Sequence, residues 1–108
     1  MLEETVEFAV VLVTAASQIE AEAIAQSLLE AKLAACVSIL PIQSMYRWQG
    51  KLEHQQEWQL LIKTRINLFG QITLHIQAIH SYAVPEVIAL PVLAGTLPYL
   101  NWISEQLD

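Results

Sequence analysis

The segment His80-Ser81-Tyr82-Ala83-Val84-Pro85-Glu86 places an imidazole, a phenol and a carboxylate within one short stretch. Glu86 is the only formal charge between Arg65 and Glu105. An ionised carboxylate in apolar surroundings must meet water, pair with a cation or hold a ligand, because desolvating it alone is costly. Imidazole suits Cu(II) and Zn(II), and a carboxylate supplies an oxygen, so His80 and Glu86 are the leading metal-ligand candidates. Pro85 stiffens the loop between them. The competing reading is structural: His80 follows an expected helix, where an imidazole can simply hydrogen-bond a terminal carbonyl. A tight site takes three or four protein ligands, so further donors must come from elsewhere in the fold or from another chain.

Cys36 is the one cysteine, which excludes an internal disulfide and a CxxC metal knuckle. As a thiolate it is a soft donor that suits Cu(I); as a free thiol it belongs to one of the most buried residue types. His75 and His80 are not at i,i+4 spacing, so they do not form a histidine pair on one helical face. His54, beside Gln55 and Gln56, reads as solvated. Trp48 and Tyr82 either pack or wall a ligand cleft. Lys63 either binds an anion there or forms an ion pair between subunits with Glu57 or Glu86. No Gly-rich phosphate loop or nucleophile elbow is present, and no catalytic set emerges, so an enzyme is not expected.

The chain has the length of one domain, and positions 1–108 are read as such. Its composition is 55% hydrophobic and 15% charged, more apolar surface than so small an interior can hide. A membrane is the wrong destination: polar residues and prolines break the charge-free runs 66–85 and 87–104 before either reaches about 20 apolar residues. Glu3, Glu4 and Glu7 stand where a signal peptide would carry basic residues. A cytoplasmic oligomer is the expectation. With 5 basic and 11 acidic residues the net charge is -6, which disfavours nucleic acid as a partner.

The elements that position these groups are legible from pattern. Phe8 to Val13 is apolar at consecutive positions, as in a strand buried on both faces. Ser17-Gln18-Ile19-Glu20 is a capping box opening a helix to about Ala31, with Ile24, Leu28 and Ala31 on one face. Cys36 to Trp48 and Lys51 to Thr64 form a long hairpin turning at Gln49-Gly50, and Pro41 calls for a sheet edge or a bulge. Trp58, Leu60 and Ile62 share one face of its second strand; Glu57, Gln59, Leu61 and Lys63 share the other. A second helix spans about Ile66 to Ile79, with Phe69, Ile72, Ile76 and Ile79 toward the core. A short strand, Val87 to Leu90, and a proline-started helix, Pro98 to Leu107, complete the chain. The order βαββαβ plus a helix is that of an α+β ferredoxin-like sandwich, whose helices cover one sheet face. The other face is left for a second subunit.

Several motifs now form a set: Leu33-Ala34-Ala35-Cys36-Val37, Ser44 with Tyr46-Arg47-Trp48-Gln49-Gly50-Lys51, Glu57 before Leu60-Leu61-Ile62-Lys63-Thr64, the His80–Glu86 segment, and Tyr99 with Trp102. In order and spacing the chain resembles the CutA divalent-cation tolerance proteins from about Val10 to Trp102. The resemblance implies a homotrimer with sheets packed about a three-fold axis, no required cofactor, and tolerance of copper and other divalent ions as the family role. Metal binding, copper favoured, then falls to His80, Glu86 and Cys36 at or near subunit boundaries. It also implies kinship in architecture with PII-type trimers, hence an alternative: a sensor for a small anionic metabolite, in a cleft of Trp48, Glu57, Lys63 and Tyr82. A trimeric scaffold is a third. The family's usual segment is His-Pro-Tyr-Glu-Val-Pro-Glu. Here Ser81 replaces a proline and Ala83 replaces a glutamate, removing one potential oxygen ligand beside His80.

Overall fold

The structure, a computed structural model, describes residues 7–107; the acidic start of the chain at Glu3 and Glu4 lies outside them. The elements are β1 (Phe8–Ala15), α1 (Gln18–Glu30), β2 (Cys36–Trp48), β3 (Lys51–Arg65), a single 3-10 turn (Ile66–Leu68), α2 (Phe69–Ile79), β4 (Val87–Pro91) and α3 (Leu97–Gln106). The strands form one antiparallel sheet in the order β2-β3-β1-β4, the ferredoxin-like arrangement that the pattern predicts. The two prolines within strands lie at the sheet edges, Pro41 in β2 and Pro91 in β4, where a missing N–H costs no ladder bond on the open side.

Local chemistry explains the element ends. The Ser17 hydroxyl accepts from the Glu20 N–H and starts α1. The Glu20 carboxylate reaches back one residue further than a capping box requires, to the Ala16 N–H at 3.0 Å. At the other end, Leu33 N–H bonds the Leu28 carbonyl while Lys32 adopts φ 57°, a Schellman closure built on lysine instead of glycine. Gln49 and Gly50 both have positive φ, which matches the twist of the flanking strands in a tight hairpin.

One sheet face carries the core. Val11 and Val13 of β1, Leu60 and Ile62 of β3, Ile24 and Leu28 of α1, and Ile72 and Ile76 of α2 form it. The buried Thr64 hydroxyl donates to the Leu33 carbonyl at 2.7 Å, tying the loop after α1 to β3. The expectation for α2 needs one correction. Its first turn is 3-10 and its core residues are Leu68, Ile72 and Ile76, whereas Ile79 is 46% exposed at the helix end. The 3-10 turn brings Leu68 onto the buried stripe.

The opposite sheet face, turned away from α1 and α2, is largely apolar. Alternation along the paired strands puts Leu12, Leu61, Ile88, Leu90 and Leu40 on it, with Cys36, Lys63 and Val10 in one row. Leu40, Ile88 and Leu90 are exposed there. Among the described residues no helix is long and apolar enough to cross a membrane.

Candidate functional site

The His80–Glu86 segment closes over the end of the sheet where β1 meets β3, and it is anchored there by hydrogen bonds at its first three residues. His80 ends α2, its N–H still bonded to the Ile76 carbonyl. Its side chain is 0% exposed. The Tyr82 N–H donates to Nδ1 at 2.9 Å, so Nδ1 accepts, and the hydrogen belongs on Nε2, which donates to the Thr14 carbonyl at 2.7 Å. Both ring nitrogens are thereby engaged. His80, expected as a metal ligand, is here a buried brace between β1 and the loop, and its ring packs tilted against Tyr82 with centroids 4.8 Å apart.

Glu20 forms the second anchor. Besides the Ala16 N–H, its carboxylate accepts the Ser81 N–H at 2.7 Å and the Ser81 hydroxyl at 3.0 Å. Burial alone raises the carboxyl pKa. The hydrogen bonds from Ala16 and Ser81, with the nearby His80, outweigh that and hold it below its ordinary value of 4.5. A proline at position 81 has no N–H to offer, so this chain's serine makes a contact that the family's usual residue cannot.

The third anchor defines a cleft. Tyr82 Oη donates to Glu57 Oε2 at 2.9 Å. Behind it, the Tyr46 hydroxyl donates to Gln55 Oε1 at 2.6 Å, and Gln55 Nε2 donates weakly to Tyr82 Oη at 3.4 Å. Tyr46, Gln55 and Glu57 alternate on β2 and β3, so the hairpin presents all three to the loop from one side. Burial, then the hydrogen bond to Glu57 and its charge, push the Tyr82 phenol up to about 12. Glu57 itself is only 7% exposed. Its second oxygen, Oε1, accepts no hydrogen bond among the described residues and is not a buried orphan; it keeps contact with solvent.

The resulting cavity of about 450 Å³ is lined by Thr14, Tyr46, Trp48, Gln55, Glu57, Tyr82, Ala83, Val84 and Glu86. It collects four of the expected residues: Trp48, Glu57, Tyr82 and Glu86. Lys63 is not among them. It lies six positions along β3 from Glu57, roughly 20 Å away, and makes no ion pair among the described residues. Cys36 pairs with Lys63 across the ladder, whereas Thr14, which holds His80, pairs with Gln59. The thiol is thus about 13 Å along the sheet from the His80 brace. His80, Glu86 and Cys36 do not converge within one chain. Among the described residues no group of three His, Cys, Asp or Glu side chains could hold a metal ion together.

Sequence reasoning missed Glu20, which reads as an ordinary cap, and Gln55, which reads as a polar hairpin residue. The only available signal was that Ser81, unlike proline, brings two donors to the segment. Trp48, Glu57, Tyr82 and Glu86 were singled out because each type stands out in its surroundings, and the structure brings the four to one cavity. Also outside the cleft, His75 bonds the Ser27 hydroxyl between α1 and α2, and His54 is exposed.

Fold and cleft together define a ferredoxin-like α+β protein with an acidic, aromatic-walled pocket at one end of its sheet. The family of the CutA1 divalent ion tolerance protein matches residues 9–106, and the chain belongs to that family. It is 45% identical over 97 residues to the divalent-cation tolerance protein CutA of Thermus thermophilus, spanning 89% of this chain and 94% of that one. The corresponding protein of Archaeoglobus fulgidus is 43% identical, across 91% and 96% of the two chains. The solved structure of the periplasmic divalent cation tolerance protein CutA from Archaeoglobus fulgidus superposes with a TM-score of 0.92 at 42% identity, covering 94% of this chain and 99% of that one. CutA1 from Oryza sativa superposes with 0.92 at 45% identity, covering 96% of each chain. This is a family of divalent-cation tolerance and not a known family of enzymes.

Proposed function

We propose that this chain is a homotrimeric divalent-cation-binding protein, and that the cation is taken by Glu57 and Glu86 in the cleft beside Tyr82. The observation that carries the reading is the state of Glu57: a buried carboxylate with one oxygen tied to Tyr82, the other without a partner, and no cation among the residues lining the cavity. A mostly enclosed carboxylate whose free oxygen still opens to solvent is a ready ligand for a cation that enters the cavity. The names of the Thermus thermophilus and Archaeoglobus fulgidus relatives, both divalent-cation tolerance proteins, support a metal ion as that ligand.

The donors in the cleft are oxygens, which suit hard divalent ions; such ions keep several waters and need only one or two carboxylates. The copper preference expected from His80 and Cys36 loses its footing within one chain, since one side chain is hydrogen-bonded at both nitrogens and the other is remote. An anionic metabolite is disfavoured for the same cleft, because its lining offers two carboxylates and no counter-charge. The trimer is supported by the apolar sheet face away from α1 and α2, on which Leu40, Ile88 and Leu90 are exposed together.

Calorimetry with Ca(II), Mn(II) and Cu(II), on the parent chain and on Glu57→Gln, Glu86→Gln and His80→Ala, tests this. Saturable binding of Ca(II) or Mn(II) that weakens in both glutamine variants is expected. Metal affinity unchanged in both would sink the carboxylate assignment, and a loss confined to His80→Ala would restore the imidazole.

A further inference from the structure

A cavity of about 450 Å³ is larger than a bare ion needs and falls within the range of about 300–1,000 Å³ occupied by small organic ligands. Its walls divide by chemistry. At the floor stands Glu57, with Oε1 unpartnered, and Glu86 contributes a second carboxylate at the rim. The remaining surface is largely aromatic and aliphatic: Trp48, Tyr46, Tyr82 and Val84. A hydrated metal ion gains nothing from three aromatic rings. An organic cation gains from every wall at once.

We infer that the cleft binds a small alkylammonium ion, with one ammonium group on Glu57 Oε1 and the alkyl chain along Trp48, Tyr46 and Val84. An N⁺–H donor to a buried carboxylate makes a charge-assisted hydrogen bond, stronger than a neutral one. Ring faces attract a cation placed over them, and methylene groups bury apolar area against the same rings. The Tyr46–Gln55–Tyr82 chain prepares this arrangement, because Tyr82 engages Oε2 and leaves Oε1 as the oxygen without a hydrogen bond. With Glu86 at the rim, a diammonium ion finds a carboxylate for each end and exceeds a monoammonium ion in affinity. The inference shares its cleft with the metal reading but requires the aromatic walls, which a metal does not.

Isothermal calorimetry of the full chain with putrescine, n-butylammonium and neutral n-butanol tests it. Putrescine is expected to bind most tightly, n-butylammonium less, and n-butanol not measurably. Glu57→Gln is expected to weaken both ammonium ions by about tenfold or more. Trp48→Ala, at an exposed position that does not threaten folding, is expected to weaken them by about threefold. If Glu57→Gln fails to fold, Trp48→Ala decides alone. Ammonium ions that bind no better than n-butanol, or that bind Trp48→Ala as tightly as the parent, overturn the inference. Parallel Ca(II) and Mn(II) titrations separate the two readings. Metal binding without ammonium binding removes this inference only, and ammonium binding without metal binding removes the metal reading only.

Discussion

The Tyr82 hydroxyl donates to Glu57 Oε2 at 2.9 Å, joining a loop after α2 to the middle of β3 across 25 residues of sequence. Glu57 shares a sheet face with Leu61, away from the helical core, yet it is buried because the loop lies over it. One hydrogen bond thus holds the cleft's acid in place and fixes the loop that covers it. Replacing Tyr82 by phenylalanine leaves a buried carboxylate without its donor. Urea unfolding of Tyr82→Phe is expected to show a loss of about 1–3 kcal/mol, with the fold retained.

The same bond makes stability depend on pH at the alkaline end. Folding raises the Tyr82 phenol from 10.0 to about 12, so the folded state holds this proton more tightly than the unfolded state does. The contribution is therefore complete below pH 10 and is lost as pH rises from there to about 12. Denaturation midpoints across that window should fall more steeply for the parent chain than for Tyr82→Phe. Parallel slopes would remove Tyr82 as the cause.

At the acid end the relevant group is Glu20, whose pKa folding lowers. Its contribution is present above the ordinary value of 4.5 and is lost as pH falls through the lowered folded value. Ser81→Pro removes both donors that residue 81 supplies and leaves the Ala16 N–H, whereas Ser81→Ala also keeps its own N–H. The acid-induced loss of stability should be shallowest in Ser81→Pro, intermediate in Ser81→Ala and steepest in the parent chain, as read by circular dichroism during acid titration.

The apolar sheet face away from α1 and α2 gives a prediction about assembly. Leu90 is exposed on it and makes no part of the core, so Leu90→Asp leaves the chain folded while placing a charge in the proposed subunit contact. Light scattering is expected to report three chain masses for the parent and a lower mass for the variant. A parent that runs as one chain mass at micromolar concentration contradicts the trimer.

Lys32 adopts φ 57° at the end of α1, a conformation that costs a side-chain-bearing residue about 1–2 kcal/mol. Part of that gain is offset by the freedom glycine adds to the unfolded chain, so Lys32→Gly should stabilise by about 1 kcal/mol in thermal or urea unfolding. A destabilised variant would mean that the lysine side chain makes a compensating contact.

The element order was legible because each segment carries a local signal that tertiary packing does not override. The capping box at Ser17 and Glu20, the alternation from Glu57 to Lys63 and the Gln49-Gly50 turn all depend on neighbours in sequence. Ile79 was misplaced because it is the last residue of α2, and helical spacing does not tell where along a helix the core ends. Lys32 gave no warning, since a left-handed helix end is ordinarily marked by glycine.

By itself the sequence determined the βαββαβ order, the two-faced sheet, the family and the residue types available for binding. Composition and periodicity act within a few positions along the chain, and those properties need nothing more. Only the tertiary structure decided which polar groups meet. It spent both His80 nitrogens on Thr14 and Tyr82, held Ser81 to Glu20, kept Cys36 and Lys63 away from the cleft, and buried Glu57 beneath Tyr82. Those choices depend on strand register and on where a loop closes, and hydrogen-bond partners tens of residues apart leave no periodic trace.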